Sequence, residues 1–174
     1  MLLSWEPMAK PIQSVGLISD THGLLRAKAL EALRGSDLII HAGDIGGPEI
    51  VDALKSLAPV VAVRGNTDQG PWGATLPASA AAEAGPATIY VLHDIHELDL
   101  NPMIAGFQVV VSGHSHKPTS TERDGVLYVN PGSAGPQRFK LPTTVAKIDF
   151  RHKPWKVSFI NVGGVCHRAR DTRA

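Results

Sequence analysis

Short apolar runs alternate along the chain with segments whose apolar positions recur every three or four residues. The first run, Val15-Gly16-Leu17-Ile18, reads as a buried strand, and residues 24 to 33 carry apolar positions at helical spacing, closed by Gly35-Ser36. A second apolar run, Leu38-Ile39-Ile40-His41, ends in Ala42-Gly43-Asp44. Pro48 opens a second helix at a position where proline is tolerated, with Ile50, Val51, Leu54 and Leu57 on its apolar face. Pro59 to Val63 is a third strand, followed by Arg64-Gly65-Asn66-Thr67-Asp68. Strand and helix in this alternation predict βαβ units and a parallel sheet.

The second half is richer in strands. Ala78 to Ala84 is alanine-rich, which favours a helix. It is also short and bounded by Pro77 and Gly85-Pro86, which suits one arm of a hairpin. Ala87 to Leu92, Phe107 to Gly113 and Val126 to Val129 read as strands, and Glu97 to Ala105 as a short helix. Residues 144–150 and 156–160 alternate and predict an antiparallel hairpin near a sheet edge. One domain spans residues 1–174, with a core of about 14–161; the ends, 1–13 and 162–174, are expected to be loosely ordered.

Composition changes this picture little. The 43% hydrophobic and 19% charged residues are ordinary for a soluble globular domain. A net charge of +1 gives no footprint for nucleic acid or an anionic membrane. No apolar run approaches a membrane span, and the first residues lack a signal-peptide pattern. Cys166 is the sole cysteine, so no intrachain disulfide forms, and a cytoplasmic location is expected. It lies in a basic tail as a free surface thiol.

The chemistry lies where strands end. Asp20 and His22 follow the first strand, Asp44 the second, Asn66 the third, His93 the strand at 87–92, and His114 and His116 the strand at 107–113. Ligands in open α/β sheets bind outside the carboxyl ends of strands. Each residue has a plainer role open to it: Asp44 as a helix cap, Asn66 as a turn residue, His114 and His116 as loop histidines. Five strand ends that all carry ligand-type residues are harder to dismiss. Carboxylates, imidazoles and an amide carbonyl without thiolate suit Mn²⁺, Fe²⁺, Zn²⁺ or Ni²⁺. Seven groups exceed one ordinary site and match two metals if one carboxylate bridges.

Asp20-Thr21-His22, Gly43-Asp44, Gly65-Asn66-Thr67-Asp68, His93 and Gly113-His114-Ser115-His116 resemble the ordered motif set of the calcineurin-like metallophosphoesterases. With Asn130-Pro131-Gly132-Ser133 and the short length, the chain is similar to the small YfcE-like phosphodiesterases from about Val15 to Phe159. The resemblance implies an α/β fold, a four-layer αββα sandwich of two mixed sheets flanked by helices, and makes Ala78 to Ala84 a strand. It implies two divalent ions, Mn²⁺ first among them. Asp20, His22 and His116 would hold one, and Asn66, His93 and His114 the other, with Asp44 as bridge. Asp44, Asn66, His93 and Asp68 would serve the chemistry, hydrolysis of a small phosphodiester or phosphomonoester by a metal-bridging hydroxide. Homodimers are common among such proteins. His41 and Asp68 are candidates to orient ligand imidazoles, with a core strand residue that has its own hydrogen bond an equal reading of His41. Arg64 and Arg138 are candidates to meet phosphate or plain solvated charges, and Trp72 to line a pocket or pack on the alanine-rich arm.

Two departures from the pattern stand out. Thr67 occupies a position where many superfamily members carry the histidine assigned to leaving-group protonation, so weak activity on poor leaving groups is expected. In the fourth motif the relatives often read histidine-glycine-histidine. Here Asp94 and Ile95 replace the last two, with His96 one residue later. The rival reading is a protein-binding scaffold like the retromer subunit of this fold, which requires a degraded metal site.

Overall fold

A computed structural model describes residues 11–137 and 140–163. Ten strands form two mixed sheets of five. The first sheet has the order β10-β9-β1-β2-β3, built from β1 (Ser14–Ile18), β2 (Leu38–His41), β3 (Val60–Ala62), β9 (Thr144–Asp149) and β10 (Lys156–Asn161). β1, β2 and β3 pair in parallel, linked by α1 (Ala27–Leu33) and α2 (Pro48–Lys55), while β9 and β10 add antiparallel. The second sheet has the order β4-β5-β6-β8-β7, built from β4 (Ser79–Ala84), β5 (Ala87–Leu92), β6 (Val109–Val111), β7 (Thr119–Arg123) and β8 (Val126–Asn130). Its central β5, β6 and β8 are parallel and its edge strands antiparallel.

The sheets pack face to face. Their shared core is aliphatic, with Val15, Leu17, Ile40 and Ile148 from one sheet against Ile89, Val91, Val109 and Val111 from the other. The opposite face of the first sheet is sealed by the helices through Ile18, Leu33, Ile39, Leu54 and Val145. The second sheet's outer face is covered more thinly. Leu92, Val110 and Val126 lie under Ile95 and Leu98, from a single 3-10 turn, Ile95–Glu97, and the loop after it. The fold is thus the expected sandwich, with a full helical layer on one side only.

Local departures have local causes. The first helix starts at Ala27, not Leu24, because Thr21 to Gly23 form a turn and Arg26 is still extended. No helix spans 97–105: Asp94 caps one 3-10 turn, Leu98 returns to extended backbone, and isolated turns run to Gly106. β7 was not legible, since all five of its residues are exposed and none is apolar. Val162, expected in the loose end, is buried, its N–H donating to the Thr143 carbonyl (2.8 Å). Ile12 likewise packs on the core. Trp72, in α3 (Gly70–Gly73), packs into the helical layer and away from the alanine-rich β4. Arg138 and Cys166 lie outside the described residues.

Candidate metal centre

The C-terminal ends of β1, β2 and β3 converge on those of β5 and β6, so the strand-end residues meet across the two sheets. Asp20, His22 and His116 present ligand atoms within 4.8 Å of one another; so do Asp20, Asp44 and His93. Asp44 Oδ2 faces both groups, 3.9 Å from His22 Nε2 and 3.5 Å from His93 Nε2. Asn66 Oδ1 is 3.1 Å from His93 Nε2 and 3.1 Å from His114 Nδ1. All seven expected ligands are therefore in one cluster. Asp68 is not among them.

The backbone between the ligands is bent to serve them. Asp20, His22, Asp44, His114 and His116 all take φ between 47° and 65°, in the left-handed region. Glycines in the strand-end loops give clearance. A Cβ at Gly65 would lie 2.1 Å from Asp44 Oδ1, and one at Gly113 would lie 2.0 Å from Ser19 Oγ.

At Asp20, Asp44 and His93, neighbouring groups hold one side of the side chain and turn the other toward the cluster. Asp20 Oδ2 accepts from Ser19 Oγ (2.6 Å) and the His114 N–H (3.2 Å). Asp20 Oδ1 is fully buried and makes no hydrogen bond, although His116 Nε2 lies 3.1 Å away. Asp44 Oδ1 accepts the Thr67 N–H (2.8 Å), leaving Oδ2 toward both groups. His93 Nδ1 lies 2.7 Å from the Ala42 carbonyl, which can only accept, so that nitrogen carries a proton and Nε2 is the nitrogen turned to Asp44 and Asn66.

This donor set fits cations. With His93 neutral, Asp20 Oδ1, Asp44 Oδ2 and His93 Nε2 bring buried lone pairs together, an arrangement that is costly unless a proton or a cation comes between them. The electrostatics say the same. Burial would lower the His93 pKa, but the Asp44 bond, the Ala42 carbonyl and the charges of Asp44 and Asp20 raise it well above the usual imidazole range. Burial would raise that of Asp44, but His93 and the Thr67 backbone and hydroxyl hold it well below the carboxylate range. A proton on His93 thus takes the part of a positive charge that the cluster is built to receive. Imidazole, carboxylate and amide oxygen are competent for Mn²⁺ or Zn²⁺.

Of the supporting residues, Asp68 departs from the expected role and His41 takes the core-strand one. Asp68 does not orient an imidazole; its carboxylate accepts three backbone N–H groups, of Ile45, Gly46 and Gly65, at 2.8–2.9 Å, and so ties the β2 loop to the β3 loop. His41 touches no ligand ring. Its Nε2 is 2.9 Å from Thr21 Oγ1, whose own proton goes to the Ile45 carbonyl. Burial pushes the His41 pKa down to about 4, against the charges of Asp20 and Asp68, so it is neutral. His96 is exposed and lines a separate cavity of about 410 Å³ with Arg123 and Tyr128, whereas His93 meets Asp44. Arg64, with Asn66, His93, Asp94, Glu97 and His114, lines a cavity of about 240 Å³ that opens on the cluster.

Two contributors were missed. Asn130 Nδ2 donates to the Gly113 carbonyl (2.6 Å) and to Ser115 Oγ (3.1 Å), bracing the loop that carries His114 and His116. Ser133 Oγ donates to the Asp20 carbonyl (3.1 Å). Their signal was the Asn130-Pro131-Gly132-Ser133 motif itself, a set of turn residues with side chains able to bond backbone.

Residues 14–153 match the calcineurin-like phosphoesterase superfamily domain. A probable metallophosphoesterase of Methanothermobacter thermautotrophicus is 34% identical over 148 residues, covering 78% of this chain and 86% of the relative. The structure of an archaeal phosphodiesterase superposes with a TM-score of 0.72 at 24% identity, covering 84% of this chain and 99% of that one. Chaetomium thermophilum Vps29 superposes at 0.68 with 18% identity, covering 88% and 100%. Both structures share the fold.

Proposed function

The chain belongs to the calcineurin-like phosphoesterase superfamily, and we propose that it is a dimetal hydrolase of small phosphodiesters. The observation that carries this reading is Asp44 Oδ2, a buried lone-pair oxygen facing two separate ligand groups. Asp20, His22 and His116 would hold one divalent ion, Asn66, His93 and His114 the other, and Asp44 both; Mn²⁺ is our first choice. Two such ions supply Lewis acidity toward a phosphoryl oxygen and make water acidic enough to attack at neutral pH.

The chain's own groups do the rest. Ser19 fixes Asp20 so that Oδ1 is the oxygen presented. The Ala42 carbonyl sets the His93 tautomer, a common device for ligand imidazoles. Arg64, which lines the cavity, would offer positive charge to the ester phosphate. The cavity of about 240 Å³ suits a small ester, and the net charge of +1 offers no track for a polyanion. A cytoplasmic location agrees with the single cysteine, and no helix among the described residues is long and apolar enough to cross a membrane.

Thr67 cannot donate a proton near neutral pH, so the leaving group departs without help from that position. An activated aryl phosphodiester is therefore expected to turn over with added Mn²⁺, and an alkyl diester about 10²-fold or more slowly, the usual worth of a general acid. Thr67→His should narrow that gap. No turnover of the aryl diester or monoester with Mn²⁺, Zn²⁺, Ni²⁺ or Mg²⁺ would overturn the reading. It would favour the protein-binding scaffold, which the likeness to Vps29 supports at the level of fold alone.

A further inference from the structure

We infer that Asp94 is a positioning residue that holds the His114 imidazole with Nδ1 turned toward the second ligand group. This inference rests on the dimetal reading. Asp94 is the residue that stands where the family's pattern has glycine, and the structure gives its carboxylate two separate tasks. Oδ1 accepts the His96 N–H (3.0 Å) and so caps the 3-10 turn, which fixes the side chain. Oδ2 is left 3.6 Å from His114 Nε2. On the other side of the same ring, Nδ1 lies 3.1 Å from Asn66 Oδ1, the oxygen that His93 Nε2 also approaches to 3.1 Å.

The two nitrogens of His114 thus face opposite partners, one a carboxylate and one the ligand group. A ring nitrogen can bind a cation only through its lone pair, and the proton must then sit on the other nitrogen. A carboxylate at Nε2 favours that arrangement and makes Nδ1 the better ligand. His114 needs this support more than its neighbours do. Its side chain is 45% exposed, whereas that of His93 is 5% exposed and has the Ala42 carbonyl to orient it. At 3.6 Å the Asp94 contact is an ion-pair distance, and a few tenths of an ångström close it into a hydrogen bond. No glycine could do this.

The test uses the full chain, Zn²⁺ as probe, and Asp94→Ser beside the wild type. Serine keeps a capping oxygen for the His96 N–H but does not reach Nε2. Chelator competition reads the two affinities separately, and proton NMR of the Zn²⁺-loaded protein reads the His114 Nε2–H. The wild type should bind two ions and show a slowly exchanging, downfield Nε2–H. Asp94→Ser should lose about 10- to 100-fold in affinity at one site only, with loss of that resonance. Asp94→Glu should restore part of both. A serine variant with both affinities and the resonance intact overturns the inference. A wild type that binds fewer than two ions overturns the dimetal reading, so the two failures are told apart.

Discussion

Asp20, His22, Asp44, His114 and His116 adopt a backbone conformation that costs an L-residue about 1–2 kcal/mol. Asp124, before Gly125 in the β7–β8 turn, is the one other described non-glycine residue to do so, and it has an ordinary turn to explain it. Strain concentrated on ligand positions is strain held for a function. It follows that His114→Gly should leave the metal-free protein more stable than His114→Ala by about 1 kcal/mol, read as a shift in urea midpoint. Equal stability of the two variants would remove strain from the account. His41 gives a second test at this scale. Its folded-state pKa is depressed to about 4 from 6.5, so the stability it contributes is present above pH 6.5 and lost as pH falls toward 4. His41→Gln should flatten the fall in urea midpoint between those two pH values; an unchanged slope would contradict this. None of these features was legible. Residue type named the ligands, but the partner of His41, Thr21, and two of the three partners of Asp68, Ile45 and Gly46, lie twenty or more residues away along the chain.

The elements place the ligands because each crossover ends at a strand tip. The βαβ half was readable from its apolar runs: β1, β2 and β3 are four of five, four of four and three of three apolar or histidine residues. The β4–β5 hairpin needed the family resemblance, since six residues of Ser, Ala and Glu carry no strand signal of their own. β7 and the absent helix at 97–105 were missed, because an exposed edge strand shows no alternation and a single cap can stop a weakly helical segment after one turn. The Gly113–His116 loop belongs to no regular element and is held by Asn130 across the sheet. Asn130→Ala removes the side-chain donor to the buried Gly113 carbonyl, which keeps only the Ser115 N–H (2.7 Å), and should cost about 1 kcal/mol of stability in thermal unfolding. It should also weaken ion binding, which His114 and His116 share between the two groups. A variant of wild-type stability and affinity would show that the loop holds its own shape.

At the scale of the molecule, neither sheet owns the cluster. The first supplies Asp20, His22, Asp44 and Asn66 from the ends of β1, β2 and β3; the second supplies His93, His114 and His116 from the ends of β5 and β6. Only the face-to-face packing brings Asp20 Oδ1 to 3.1 Å from His116 Nε2 and Asp44 Oδ2 to 3.5 Å from His93 Nε2. On the dimetal reading, this shared edge holds two cations through Asp44. The most direct test of that reading is the number of ions retained per chain after metal stripping, reloading with Mn²⁺ and desalting, in the wild type and in Asp44→Ala. Two in the wild type and fewer in the variant are expected. One ion or none in the wild type, or two in Asp44→Ala, would contradict the reading.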